Sequence, residues 1–229
     1  GVVVNGYPDD TRRCISSVIK WTDFDQTEII VLDNGSTDLT GELLEEMTKG
    51  QENLQVIHAD HTLGDGSAKN ILMKLAKGEV FILLDPSVEI KGDFVKRIQD
   101  LLEDPEVGIA GLAGLRTEDL LHFHDGEGKS GHMDAMQSYC FALKRADLKK
   151  VGLMRESFRY YRNLDLDYSF QFKEQGFSII ADHTLPMELH DHRGWTALSE
   201  GERDELSRKN YGRFLKKWRG RTDLLISNK

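Results

Sequence analysis

The stretch that most constrains this chain is residues 79–89, Glu79-Val80-Phe81-Ile82-Leu83-Leu84-Asp85-Pro86-Ser87-Val88-Glu89. Five apolar residues run unbroken from Val80 to Leu84 and stop at an aspartate. Such a run, bounded by a turn signal, predicts a strand buried on both faces. Pro86 has no N–H to give to a neighbouring strand, so the ladder should end near it. Asp85 then sits at the carboxyl end of a central strand, where open α/β sheets hold their ligands. Asp85 and Glu89 together can share a cation or an acceptor hydroxyl. The simpler reading of Asp85 is a residue that ends a strand and caps the next turn.

The flanking sequence supplies the rest of a sheet. Val2-Val3-Val4 predicts a short strand, followed by turn residues 5–10 and a helix over 11–21 capped by Asp10 or Thr11. A second strand over 28–32 ends in Asp33-Asn34-Gly35-Ser36-Thr37-Asp38, where Ser36 or Asp38 caps a helix over 39–49. A strand over 54–58 and a helix over 67–77, opened by Gly64-Asp65-Gly66 and closed by Gly78, lead into the central strand. The order β-α-β-α-β-α-β predicts right-handed crossovers and a mixed, mainly parallel α/β sheet flanked by helices. Beyond it come a helix over 93–102, an apolar strand over 108–115 and a polar loop over 116–134. A strand over 137–144, a short helix over 145–151, a helix over 168–175 and a strand over 177–181 follow. A charged helix over 200–218 carries Leu206, Tyr211, Phe214, Leu215 and Trp218 to dock it. The chain is read as one domain over 1–195 with a C-terminal helical extension over 196–229 packed on it.

Composition excludes several classes. A net charge of −9 argues against a nucleic-acid-binding body. No run approaches the roughly 20 apolar residues that a membrane span needs. No signal peptide is visible, and the start on Gly1 without Met reads as a processed or trimmed amino end. Cys14 and Cys140 are too few and too far apart for a disulfide framework; they fit packed thiols in a reducing, cytoplasmic compartment.

Taken together, residues 2–7, 28–38, 64–88 and 137–181 resemble successive blocks of the family 2 glycosyltransferases, enzymes of the GT-A fold. Glu28-Ile29-Ile30-Val31-Leu32-Asp33-Asn34-Gly35-Ser36-Thr37-Asp38 is the most specific block, and Ala68-Lys69-Asn70 stands where the family often has Ala-Arg-Asn. The resemblance implies a sugar moved from a nucleotide diphosphosugar donor to a hydroxyl acceptor, with Mn2+ or Mg2+, by an inverting displacement. Asp33 or Asn34 would then bond the nucleotide base or ribose, and Gly6 would let the backbone come close to the base. Lys69 would face the diphosphate. Asp85, with Glu89 and His190, would hold the metal. Asp165, in Arg162-Asn163-Leu164-Asp165-Leu166-Asp167-Tyr168, would be the general base.

The chain departs from the family pattern in three places. The DxD motif becomes Asp85-Pro86-Ser87, the Glu before Asp165 becomes Leu164, and Asn5 replaces a usual Pro. These changes keep a second reading open, a GT-A module that binds a nucleotide sugar or a partner without transfer. A nucleotidyltransferase is disfavoured, because residues 5–10 are acidic rather than Gly-rich and basic.

The residues also carry plainer readings. Residues 33–38 can be only a capped turn, Lys69 a solvated helix residue and Glu89 a surface acid. Asp165 and Asp167 open a helix, where negative charge is stabilising in itself. The pairs His122/His124 and His190/His192 invite zinc but lack a third fixed ligand. Phe158, Tyr160, Tyr161 and Tyr168 read as a sugar-stacking wall or as core. Trp195 reads as a ring over a sugar or as an anchor for the terminal helix.

Overall fold

The computed structural model describes residues 1–126 and 128–228. Glu127, inside the predicted loop, and Lys229, at the end of the predicted extension, lie outside the described residues. The first half runs β1 (Val2–Val4), α1 (Pro8–Lys20), β2 (Ile29–Asn34), α2 (Thr40–Thr48), β3 (Leu54–Ala59), α3 (Asp65–Leu75), β4 (Val80–Leu84), β5 (Val88–Ile90) and α4 (Val95–Leu102). Then come β6 (Val107–Gly111), β7 (Gly114–Arg116), β8 (His124–Asp125), β9 (Gly131–His132), β10 (Ala135–Met136) and β11 (Cys140–Lys144). The chain closes with α5 (Leu148–Val151), α6 (Leu164–Glu174), β12 (Ser178–Ala181), β13 (Met187–Leu189), α7 (Arg193–Thr196) and α8 (Glu200–Trp218).

The main sheet has the strand order β3-β2-β1-β4-β11-β6-β12-β9. Strands β3, β2, β1 and β4 are mutually parallel, β11 runs antiparallel between β4 and β6, and β12 is parallel to β6. After β3 the chain returns to the far side of β1, so the order reverses between β1 and β4. Ligand crevices in open α/β sheets form at such a reversal, outside the carboxyl ends of the strands. Asn5 and Gly6 follow β1, and Asp85 follows β4.

Strand alternation divides the core between the two faces of the sheet. Ile30, Leu32, Phe81 and Leu83 pack with α3, α6 and α8, whereas Val2, Val4, Ile29, Val31 and Leu84 pack with α1 and α4. Among the described residues, no helix is long and apolar enough to cross a membrane.

Three helices begin earlier than the sequence reading places them. Helix α1 begins at Pro8, where a missing N–H costs nothing, and its cap is Tyr7 in the left-handed region (φ 61°), not Asp10 or Thr11. Helix α3 begins at Asp65. Helix α6 begins at Leu164, so Asp165 and Asp167 both fall in its first turn. The predicted 116–134 loop carries the two-residue strands β8 and β9 and ends at the buried Asp134, which bonds Lys173 at 2.8 Å. Helix α8 has the predicted bounds and a capping box between Ser199 and Glu202. Its Phe214 and Trp218 are fully buried against Phe170 of α6.

Candidate active site

Asp85 leaves β4 at the wall of a cavity of about 840 Å³, which Asp165, Tyr161, His190, His192 and Trp195 also line. One carboxylate oxygen of Asp85 accepts from the Ser87 backbone N–H at 2.9 Å and from its hydroxyl at 2.5 Å. The other lies 3.1 Å from Nε2 of His192, whose ring stacks on Tyr161 at 4.2 Å. Burial works against charge on Asp85, but the bonds from His192 and Ser87 outweigh it and hold the carboxyl below the usual range. His192 answers in the opposite sense. Burial pulls it down, Asp85 more than compensates, and the imidazole titrates above the ordinary histidine range.

The predicted trio of Asp85, Glu89 and His190 does not converge. Val88 and Ile90 point into the core, so strand alternation turns Glu89 away from Asp85. Glu89 meets His190 at 2.9 Å instead, and Lys91 bridges Glu89 and Glu188 at 2.7 and 2.9 Å. Among the described residues, ligand atoms of Glu89, Glu188 and His190 form the one group of three compact enough for an ion. Asp85 is not a member, and the ammonium of Lys91 already offsets one of the two carboxylate charges. His192, which meets Asp85 on the cavity wall, is the residue that the sequence reading undervalued. The His-x-His spacing flagged it, but β13 stops at Leu189 and His192 becomes the residue before α7, so the pair does not share a strand face.

Asp165 sits in the first turn of α6. Its oxygens accept from the N–H of Leu166 at 2.9 Å and of Ser138 at 3.3 Å. Burial pushes its carboxyl above the usual range, opposed by the Leu166 bond, the charge of Lys69 and the Ser138 bond. Lys69 is therefore not a solvated helix residue. It is 7% exposed, its ammonium is held by Asp65 at 2.6 Å, and it acts as an electrostatic neighbour of Asp165 and His192. Asp167 faces the opposite way, fully buried. Arg155 grips both of its oxygens, and Trp218 Nε1 donates at 2.8 Å. Asp165, and not Asp167, is therefore the carboxylate of this turn that lines the cavity.

Gly6, Asp33 and Asn34 form a separate group at the carboxyl ends of β1 and β2, and none lines that cavity. Asp33 accepts from Ser36 N–H at 2.9 Å and meets His58 Nδ1 at 3.0 Å. Asn34 accepts from Leu63 N–H at 2.8 Å through its side chain. Gly6 (φ +76°) donates to the Ser36 hydroxyl at 2.7 Å, and a Cβ there would lie 3.1 Å from a carboxylate oxygen of Asp38. The capped-turn reading of 33–38 describes real bonds, and the same bonds fix the two strand ends side by side.

Of the aromatic set, Phe158 and Tyr168 are core and Tyr161 faces the cavity. Trp195 stands between the cavity and α8. It lines the cavity, and its ring lies 4.6 Å from the Arg162 guanidinium and 4.9 Å from that of Arg203 on α8. His122 pairs with Asp119 at 2.7 Å, and His124 stands apart from it at the cavity edge.

The sheet order and flanking helices define a GT-A fold, shared with solved glycosyltransferases. The chain belongs to glycosyl transferase family 2, whose family model matches residues 2–166. It is similar to GalNAc-T7, crystallised with UDP, GalNAc and Mn2+, with a TM-score of 0.79 and 17% identity over 97% of this chain and 48% of that one. It is also similar to the mannosyltransferase PcManGT from Pyrobaculum calidifontis, solved with GDP-Man and Mn2+ (TM-score 0.69, 18% identity, 86% of this chain and 57% of that one). Among curated proteins, a beta-monoglucosyldiacylglycerol synthase from Nostoc sp. is 25% identical over 168 residues, 72% of this chain. The glycosyltransferase GlyG from Streptococcus pneumoniae is 26% identical over 97 residues, 42% of this chain. The matched part spans only 35% and 32% of those two relatives.

Proposed function

We propose that this chain transfers a sugar from a nucleotide diphosphosugar to a hydroxyl acceptor, by an inverting, metal-dependent single displacement. The observation that carries the reading is the meeting of Asp85 and His192 at 3.1 Å on the wall of the cavity that Asp165 also lines. Family membership supplies the reaction class.

One carboxylate, one imidazole and the nearby Ser87 hydroxyl make an oxygen and nitrogen donor set suited to Mn2+ or Mg2+. Nε2 is the His192 atom that faces the Asp85 carboxylate, so these two would be the ligand atoms. Asp85 and His192 would hold the ion, and the chemistry it supplies when bound is neutralisation of charge on the leaving diphosphate. Asp165 would take the proton of the acceptor hydroxyl as that oxygen bonds to the anomeric carbon and the nucleoside diphosphate departs. Gly6, Asp33 and Asn34 would seat the nucleoside. Residues 116–134 would shape the acceptor side, and residues 190–198 would close over the donor.

Residues 1–195 would be the glycosyltransferase unit and 196–229 its helical extension. Cys14 and Cys140 are buried free thiols, each pushed up to about 12 by burial, and a reducing, cytoplasmic setting would suit two unpaired cysteines.

A panel of nucleotide sugars, incubated with the chain and a mixture of hydroxyl acceptors, tests the reading. Release of UDP, GDP or dTDP that stops on addition of EDTA is the expected result. Tight binding without release would favour the non-catalytic module suggested by Ser87 and by Leu164, which is fully buried where the family pattern has a Glu.

A further inference from the structure

We propose that Asn210 and Tyr211 of α8 are positioning residues for the acceptor. They fix the separation of the two loops that wall the cavity, and this makes α8 a working part of the acceptor site. The inference rests on the glycosyltransferase reading above. It concerns a helix outside the family match, which ends at residue 166.

One wall is the segment just before α6, where Tyr161, Arg162 and Asn163 line the cavity. Asn210 is 1% exposed, and its amide donates to the carbonyl oxygens of Tyr160 at 2.7 Å and Arg162 at 2.9 Å. Asn163 returns the contact, donating through its side chain to the carbonyl of Ser207 at 3.1 Å. The other wall carries Leu121 and Phe123. There the Tyr211 hydroxyl lies 2.7 Å from the Leu120 carbonyl oxygen and 2.8 Å from that of Leu121, and shares its single hydrogen between them. Tyr211 also lines the cavity itself. Consecutive helix residues point about 100° apart, so one turn of α8 reaches both loops.

Backbone strain points the same way. Each wall holds a non-glycine residue in the left-handed region, Asn163 at φ +66° and Leu120 at φ +63°. Leucine gains nothing there from its side chain, and such a conformation persists only where the surroundings impose it. In the Leu120 loop the Thr117 hydroxyl accepts from Leu120 N–H and Asp119 accepts from the N–H of Leu121 and His122, and α8 adds bonds to the carbonyls on both walls. With the α8 bonds gone, each loop is held less firmly and the spacing of the walls loosens. Asp85, His192 and the β1–β2 group make no hydrogen bond to α8 among the described residues, but the Tyr161 ring stacks on His192, so the donor side is insulated from the Tyr211 loop and not from the Asn210 loop.

The test uses the full chain as wild type, Tyr211→Phe and Asn210→Ala. Tyr211→Phe keeps the ring and removes only the hydroxyl, which keeps the test informative if Asn210→Ala folds poorly. Hydrogen exchange should quicken in residues 119–123 for Tyr211→Phe and in residues 160–164 for Asn210→Ala, while β1, β2 and β4 stay as protected as before. In Tyr211→Phe, Mn2+-dependent binding of UDP and GDP should be unchanged. With the sugar acceptor that gives transfer in a panel of glucose, galactose, mannose and N-acetylglucosamine, the acceptor KM should rise about tenfold, the worth of one hydrogen bond, with kcat little changed.

Unchanged exchange in both loops overturns the inference, and so does a parallel fall of kcat, nucleotide affinity and acceptor affinity in Tyr211→Phe, which would mark a merely structural role. If the wild type binds neither nucleotide, the functional reading fails and takes the acceptor role with it.

Discussion

Asp165→Asn is expected to lower sugar transfer by about a thousandfold, the usual worth of a positioned general base. Mn2+-dependent nucleotide binding should survive, because the carboxylate belongs to α6 and neither Asp85 nor His192 bonds to it. Steady-state nucleotide release in the presence of acceptor, beside nucleotide titration, checks both parts. Transfer within tenfold of wild type would remove Asp165 from the reaction. The pH profile gives a second check. A base must be ionised to accept a proton, and burial raises the Asp165 carboxyl above the usual range. The acid limb of the wild-type rate should therefore lie at higher pH than an ordinary aspartate would give, and it should vanish in the Asn variant.

Asp167→Ala is expected to cost the fold about 3 kcal/mol, since removal of one partner from a buried ion pair leaves the other uncompensated. Four donor contacts end on this carboxylate: two from Arg155, one from Trp218 Nε1 and one from Gln171 at 3.1 Å. Arg155 is partly exposed and water can recover some of its loss, so the estimate sits at the lower end of the range. For a chain of this size that corresponds to a fall of about 10 °C in Tm. Chemical denaturation and a thermal scan would measure it, and a loss under about 1 kcal/mol would mean that the network contributes far less than its burial implies. The contrast with Asp165 is informative. Two carboxylates two residues apart on one helix turn are assigned to chemistry and to stability, because one faces a cavity and the other faces Trp218.

That contrast also marks where a sequence stops being informative. The 79–84 run, the 28–38 block and the terminal helix were legible because their signals are local: an apolar run, a turn sequence, a 3.6-residue period. Asp85 at a strand end follows from the same locality. The partner of Asp85 does not. His192 is 107 residues away, and only the short β13 strand and the turn into α7 decide that it, and not His190, meets Asp85. Lys69 reads as a surface lysine until Asp65 and the packing of α3 enclose it. Asp167 and Trp218 are 51 residues apart, and no periodicity announces their bond. The clamp of α8 on two loops is legible only once the sheet has placed those loops side by side.

The account depends most on Asp85 and His192 acting together on a metal-bound nucleotide. Calorimetric titration of UDP and GDP into wild type, Asp85→Asn and His192→Ala, with Mn2+ and then with EDTA, tests this directly. The account predicts that one nucleotide binds the wild type with Mn2+, and that EDTA or either substitution weakens it by about tenfold or more while the fold survives. Nucleotide affinity that ignores the metal and both substitutions would contradict it.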